Sequence, residues 1–441
     1  MMKIAIPYLN KTFPLEFPDE YLLAVAEPNE YTAEGTAEEL LEAALANPYG
    51  PLQRQKAVID ACGKGQSLEA FLTGGKKLMI IINDATRPTP TETILTGLAP
   101  AIEKADLDNK ALTLMVATGA HRSPTEEEYV QILGRHHNRL RDRCVSHDAR
   151  NEAGMVDIGI TRNGTPMMLN KKLFEADRII VTGSVEPHYI AGFTGGRKAF
   201  LPGIAAYKTI EANHKQGLSP KARSLALEGN PVHEDMMDAL PLIKAPVFSV
   251  MTVLDKEQGV AAAAAGDLMA SFYGAVEIAK RIFCVLVPSK ADIVVSVAKF
   301  PMDIDLYQSQ KAIDNGAAVL KNGGFLILVS GCRDGIGDEA YARLLADSSS
   351  PADAMERIRT GYKLGYHKAA KMAEVSGRAA VKAVSELSGE RLKSLFIEKA
   401  PSPQQALDDA LAALNAGGIA IPKILVLPDG CVTVPIYRPE Q

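Results

Sequence analysis

The 441-residue sequence has no tryptophan, few cysteines, and no excess of basic charge. Its five cysteines, at positions 62, 144, 284, 332 and 431, are odd in number and far apart. None forms a CxxC pair, so neither a zinc ribbon nor a redox motif is encoded, and reduced thiols of a cytoplasmic protein are expected. No stretch approaches the roughly 20 consecutive apolar residues that cross a bilayer, and the N-terminus lacks the pattern of a secretory signal. A formal net charge of −5 gives no overall attraction to nucleic acid or to an anionic membrane. HExxH, EF-hand, GxGxxG and Walker spacings are absent as well, which argues against a protein-only metal cage and the commonest nucleotide-binding loops.

What remains is a soluble globular composition, 47% hydrophobic and 23% charged, in a chain long enough for two domains. Lys3 to Phe17 alternates apolar and polar residues about a turn near Asn10, as a hairpin does. Short buried strands then alternate with amphipathic helices. Lys77 to Asn83 precedes a helix over Thr91 to Lys104, and Leu112 to Ala117 precedes one over Thr125 to Leu133. A third strand is expected over Arg178 to Gly183. The alternation predicts α/β layers with largely parallel sheets. The pattern restarts at Ala291, which places a second α/β domain at 280–423 after a first at 1–279. The final strand pair, residues 424–441 with a DG turn, is expected to return to the first domain.

In open α/β sheets ligands bind outside the carboxyl ends of the strands. NDATRP, TGAHR and GSVEPH all come directly after predicted strands. Three of the eight histidines, His121, His188 and His214, lie in such strand-end or glycine-rich segments, which favours catalysis or metal ligation over a surface role. His136 and His137 read as a solvated basic face, and His147 and His233 as structural. GFTGGRK offers glycines for close backbone approach, with Arg197 and Lys198 for a phosphate or a covalent attachment. Asp84, Thr86 and Arg87 form a polar turn suited to an anion. Gln308 and Lys311, at i and i+3 on a predicted helix, could hold a carboxylate.

Together DATRP, TGAHR, EPHYIAGFTGGRK, LPGIA, ANH and LYQSQK resemble, in order and over nearly the whole chain, the nickel-dependent lactate racemase family, whose members racemise or epimerise 2-hydroxy acids. The resemblance implies two α/β domains with the active site in the interdomain cleft. It also implies a nickel-pincer cofactor, the mononucleotide of pyridinium-3,5-bisthiocarboxylic acid, loaded with the help of cofactor biosynthesis proteins. Lys198 matches the covalent attachment point and His214 the nickel ligand, one imidazole beside a planar three-donor pincer as Ni(II) favours. His121 and His188 match the paired acid and base. Asp84, Ala85, Thr86 and Arg87 match the cofactor-lining turn, with Arg87 also beside the substrate, and Tyr307, Gln308 and Lys311 match the substrate-binding helix.

Two departures bear on specificity. Ala85 stands where the family more often has histidine. The tryptophan that lactate racemases tend to carry beside the substrate is missing, and LGYHKA offers Tyr366 and His367 instead. A larger 2-hydroxy acid than lactate is therefore expected, with lactate itself as the alternative. A lysine Schiff-base enzyme of the pyridoxal phosphate type and a non-catalytic cofactor-binding protein are the competing classes.

Overall fold

Leu78–Asn83 (LMIIIN) is buried at each of its first five positions, as a parallel strand covered on both faces must be. In the computed structural model, which describes residues 1–52, 62–107 and 111–438, it is a central strand of a six-stranded sheet. Leu112–Ala117 and then Cys144–Ser146 lie on one side of it. Arg178–Ser184, Val247–Leu254 and Val260–Gly266 lie on the other. All pairings are parallel except the last. Val260–Gly266 contains the five consecutive alanines, helix formers by propensity that here complete a sheet edge because tertiary context outweighs a weak local preference.

The helices match their sequence signals closely. Thr91–Lys104 buries Ile94, Leu95, Leu98 and Ile102, one face at helical spacing, against Ile80, Ile82 and Leu114 of the sheet. Glu126–Leu133 begins at a capping box in which Thr125 and Glu128 satisfy each other's backbone N–H groups. This sheet and its helices form one unit, Glu30–Ile282.

The second unit joins Met1–Asn29 to Phe283–Gln441. Its sheet runs Glu398–Lys399, Ala380–Val384, Leu320–Val329, Ala291–Val297, Ile424–Leu427, Leu22–Val25, with every pairing parallel. The chain is thus two α/β units with largely parallel sheets, as the alternation predicts.

The division of the chain corrects the expectation at both ends. The hairpin is present, Met2–Tyr8 against Lys11–Phe17, but Ile6, Leu15 and Phe17 bury themselves on Ile293, Val295 and Ile327 of the second sheet. Ile424–Leu427, completely buried, does not return to the first unit. It fills the gap between Ala291–Val297 and Leu22–Val25. Nor do 424–436 form a hairpin, because Val434–Ile436 pairs in parallel with Cys284–Leu286. A fully apolar strand must be flanked on both sides to satisfy its backbone, and this unit supplies both neighbours.

Candidate functional site

Arg178–Ser184, Leu78–Asn83 and Leu112–Ala117 are adjacent in the first sheet, so the three polar segments attached to their carboxyl ends emerge side by side at its rim. Hydrogen bonds tie these segments together. Thr89 Oγ1 donates to Asn83 Oδ1 at 2.8 Å and lies 3.1 Å from Ser184 Oγ. Gly119 N–H reaches the carbonyl of Gly203 at 2.9 Å.

Asp84 is 6% exposed and fully engaged. Its Oδ2 lies 2.8 Å from His121 Nδ1, and its Oδ1 accepts from the Thr86 hydroxyl at 2.6 Å and the Thr86 backbone N–H at 3.2 Å. Burial alone would push the Asp84 carboxyl up. The hydrogen bond and charge of His121, the Thr86 hydroxyl and the Arg87 guanidinium outweigh it and hold the carboxyl below its ordinary value. His121 itself is exposed, the disposition expected of a group that must meet a substrate. Ala85 contributes no polar group and leans on the core of the first sheet.

His188 sits in a short ribbon, Pro187–His188 against Gly192–Phe193. Its Nδ1 accepts from the backbone N–H of Ala191 at 3.2 Å and of Ile190 at 3.4 Å. Its Nε2 lies 3.5 Å from Lys198 Nζ, and its ring stacks on Tyr189 with centroids 4.7 Å apart. The Lys198 amine is surrounded by protein, and burial, followed by the charges of Arg87 and Arg197, pushes its pKa well down. An uncharged amine is a nucleophile, as a covalent attachment point requires.

Arg197 takes no part in ligand chemistry, which corrects the reading of it as an anion site. It is completely buried and spends its donors on the carbonyls of Ala191 at 2.7 Å, Gly195 at 3.1 Å and Thr194 at 3.4 Å, and on His233 Nδ1 at 3.1 Å. Its guanidinium also lies 4.4 Å from the centre of the Phe272 ring. Burial brings its pKa down to about 9, and these four acceptors make the buried cation tolerable. It fastens the glycine-rich turn to the helix Leu268–Phe283. Gly195 and Gly196 serve the same packing, since both have positive φ and a Cβ would come within 2.7 Å of Val185 and 3.0 Å of Phe272.

The helix expected over Ala206 to Ala212 runs Tyr207–Lys215, so His214 lies in its last turn rather than after it. Burial, then the neighbouring Lys198, lowers the His214 pKa to about 3, with a hydrogen bond to the Ile210 backbone opposing. The ring is therefore neutral and has the lone pair that a metal requires. A group without any signal in the sequence braces this helix. Asp235, fully buried, accepts from Thr165 Oγ1 at 2.7 Å and Asn213 Nδ2 at 2.8 Å, and also from Thr161 Oγ1. His147 and His233 are structural, as expected, the first bonded to the Ala205 carbonyl at 2.9 Å and the second to Arg197.

The residues expected to bind substrate lie in the other unit. Asp305 caps the helix Leu306–Ala317 through Gln308 N–H at 2.7 Å, leaving the Tyr307, Gln308 and Lys311 side chains partly buried. Lys311 Nζ lies 3.2 Å from Met302 Sδ. His367 is 2% exposed and bonds Tyr362 OH through Nδ1 at 2.8 Å, so it is packed inside the unit rather than presented at a surface. The unforeseen residue is its neighbour Lys368. It is equally buried, with Nζ 3.9 Å from the centre of the Tyr307 ring and donating to the Tyr307 carbonyl. Burial and Lys311 lower its pKa, against the pull of Asp314 and Asp305.

Known proteins resemble this chain along nearly its whole length. Residues 8–224 match the model of the lactate racemase N-terminal domain, and residues 286–435 that of the lactate racemase C-terminal domain. A protein named lactate racemase from Lactiplantibacillus plantarum is 32% identical over 98% of this chain and 99% of its own. Another of that name, from Thermoanaerobacterium thermosaccharolyticum, is 30% identical over 98% of both chains. The solved lactate racemase apoprotein from the latter organism superposes with a TM-score of 0.87 at 31% identity, covering 99% of this chain and 100% of the other. A protein from Thermotoga maritima shares the fold, with a TM-score of 0.65 at 17% identity over 93% of this chain and 100% of its own.

Proposed function

Because the chain belongs to the lactate racemase family, we propose that this isomerase inverts the hydroxyl-bearing carbon of a 2-hydroxy acid, with a nickel-pincer nucleotide held by Lys198 and His214 and with His121 and His188 moving the hydroxyl proton. The observation that carries the reading is the convergence at one sheet rim of the Asp84–His121 pair and of Lys198 with His188 and His214 around it. The residues fit such a group. Burial pushes the Lys198 amine towards its uncharged form and keeps the His214 imidazole neutral, the forms that covalent attachment and metal ligation need.

When bound, the pincer would supply an acceptor for hydride from the substrate carbon. This chain's residues handle the rest. The carbon proton of a 2-hydroxy acid is barely acidic, and hydride removal becomes easier if the hydroxyl proton leaves with it, so a base is needed near each position of the hydroxyl. His121 and His188 are those bases. Arg87 steadies the developing charge on the hydroxyl oxygen, and Gln308 with Lys311 holds the carboxylate while the remainder turns.

Two departures from the family sequence bear on substrate size. With Ala85 in place of a histidine, and Tyr366 over the buried His367 where the family tends to have tryptophan, a 2-hydroxy acid larger than lactate fits the reading. The relatives are named for lactate, so lactate heads the test panel. Nickel-loaded protein should interconvert the enantiomers or epimers of a larger 2-hydroxy acid faster than those of lactate, as monitored by chiral chromatography. Lactate as the best substrate would refute the size argument, and turnover of none by protein of verified nickel content would refute the activity. An absorbance spectrum of the loaded protein separates a Schiff-base aldehyde cofactor from a nickel pincer.

A further inference from the structure

His121 and His188 are held by opposite kinds of partner. Nδ1 of His121 faces Asp84 Oδ2 at 2.8 Å, and an ionised carboxylate can only accept, so Nδ1 must carry a proton and the neutral ring keeps its lone pair on Nε2. Nδ1 of His188 faces two donors, the N–H groups of Ala191 at 3.2 Å and Ile190 at 3.4 Å. There Nδ1 must hold the lone pair, and Nε2, towards Lys198, holds the proton.

We propose that Asp84 is a positioning residue that sets His121 as the resting base, while the Ile190–Ala191 backbone holds His188 in the opposite tautomer, so that the two histidines are unequal before substrate arrives. The proposal deepens the racemase reading and rests on it. Asp84 suits the task because both its oxygens are committed, one to His121 and one to Thr86, which leaves the carboxylate no freedom to turn. When a substrate hydroxyl gives its proton to His121 Nε2, one O–H bond breaks and one N–H bond forms, and the bonding pair stays on oxygen. The resulting imidazolium then has an ionised carboxylate at hydrogen-bond distance. His188 cannot accept a proton at Nε2 in its present pose. A lone pair there would place the ring proton on Nδ1, against two backbone N–H groups, so the ring must first leave that cradle. The same turn would carry it away from Lys198.

Two enantiomers have equal free energy, so kcat/KM is the same in both directions and cannot reveal the inequality. The rings can. We would record long-range nitrogen-proton correlation spectra of histidine-labelled, cofactor-free protein at about pH 8.5, above the ordinary histidine value of about 6.5, with signals assigned through H121Q and H188Q. The expected result is a proton on Nδ1 of His121 and on Nε2 of His188, with the His121 signals alone changing tautomer or mixing in D84N. In nickel-loaded enzyme D84N should lower kcat about a hundredfold with KM within about threefold, and D84E should recover part of it. A His121 ring protonated on Nε2, one indifferent to D84N, or a D84N enzyme of full kcat would overturn the proposal. Failure of the racemase reading itself looks different, since loaded wild-type enzyme would then turn over no 2-hydroxy acid whatever the spectra show.

Discussion

Lys198 Nζ stands 3.5 Å from His188 Nε2, so the expected attachment point and one expected base are in contact before either meets a ligand. The amine's pKa is depressed by burial and by Arg87 and Arg197, which favours its uncharged, nucleophilic form. Intact-mass measurement under denaturing conditions should show a cofactor-sized increment on loaded wild-type protein and none on K198A or K198R. An increment that survives in K198A would place the attachment elsewhere.

Nickel retention should depend on His214. Its ring is neutral at any ordinary pH, so replacing it by alanine removes a ready donor without stranding a charge. H214A loaded alongside wild type should carry far less nickel by elemental analysis, with an unchanged far-ultraviolet dichroism spectrum. Equal nickel content in the two proteins would remove His214 from the metal.

The strand-end motifs were legible because buried parallel strands write themselves as apolar runs, and LMIIIN and LTLMVA mark the polar turns at their carboxyl ends. The expected site residues His121, His188, Lys198 and His214 were named from such turns and from the family motifs, and Gln308 and Lys311 from their helical spacing and the same motifs. The partnership of Ile424–Leu427 was not legible, since a four-residue apolar run is compatible with any sheet. Asp235 and Lys368 were also missed, as each is a single charged residue on a helix with no spacing signal. Their importance arises from partners distant in sequence, Thr161 and Thr165 for one and Tyr307 for the other. Arg197 was misread for a related reason, because GGRK looks the same whether the arginine faces a ligand or the protein's own carbonyls.

Removing the Asp235 carboxylate should loosen the helix that carries His214. D235A would leave two buried threonine hydroxyl protons and one Asn213 amide proton without the acceptor they now share, at about 1–3 kcal/mol for a buried group that loses its partner. Urea unfolding should show a loss of at least about 2 kcal/mol, together with weaker nickel retention than wild type at a temperature where both are folded. A stability change near zero would mean that water replaces the carboxylate without cost.

Lys368 braces Tyr307 through its ring and its carbonyl, and so fixes the start of the helix that carries Gln308 and Lys311, the expected carboxylate clamp. K368M keeps most of the volume and removes the cation. Its KM should rise about tenfold, the equivalent of roughly 1.4 kcal/mol, with kcat little changed, because the loss falls on carboxylate binding in ground and transition states alike. A fall in kcat at constant KM would instead place Lys368 in the chemistry.

The Asp84–His121 pair should also appear in the acid limb of stability. The Asp84 carboxyl is held below its ordinary value despite burial, whereas in the unfolded chain it titrates near about 3.9. A group whose pKa is lower in the folded state contributes stability that is fully present above its unfolded value and is lost as the pH falls through its folded value. Wild type should therefore exceed D84N in unfolding free energy at about pH 5, and the margin should shrink steadily below about pH 4. Denaturant titrations of both proteins across that range provide the check. A margin that grows as the pH falls below about 4 would instead mean that the Asp84 pKa is raised in the folded protein.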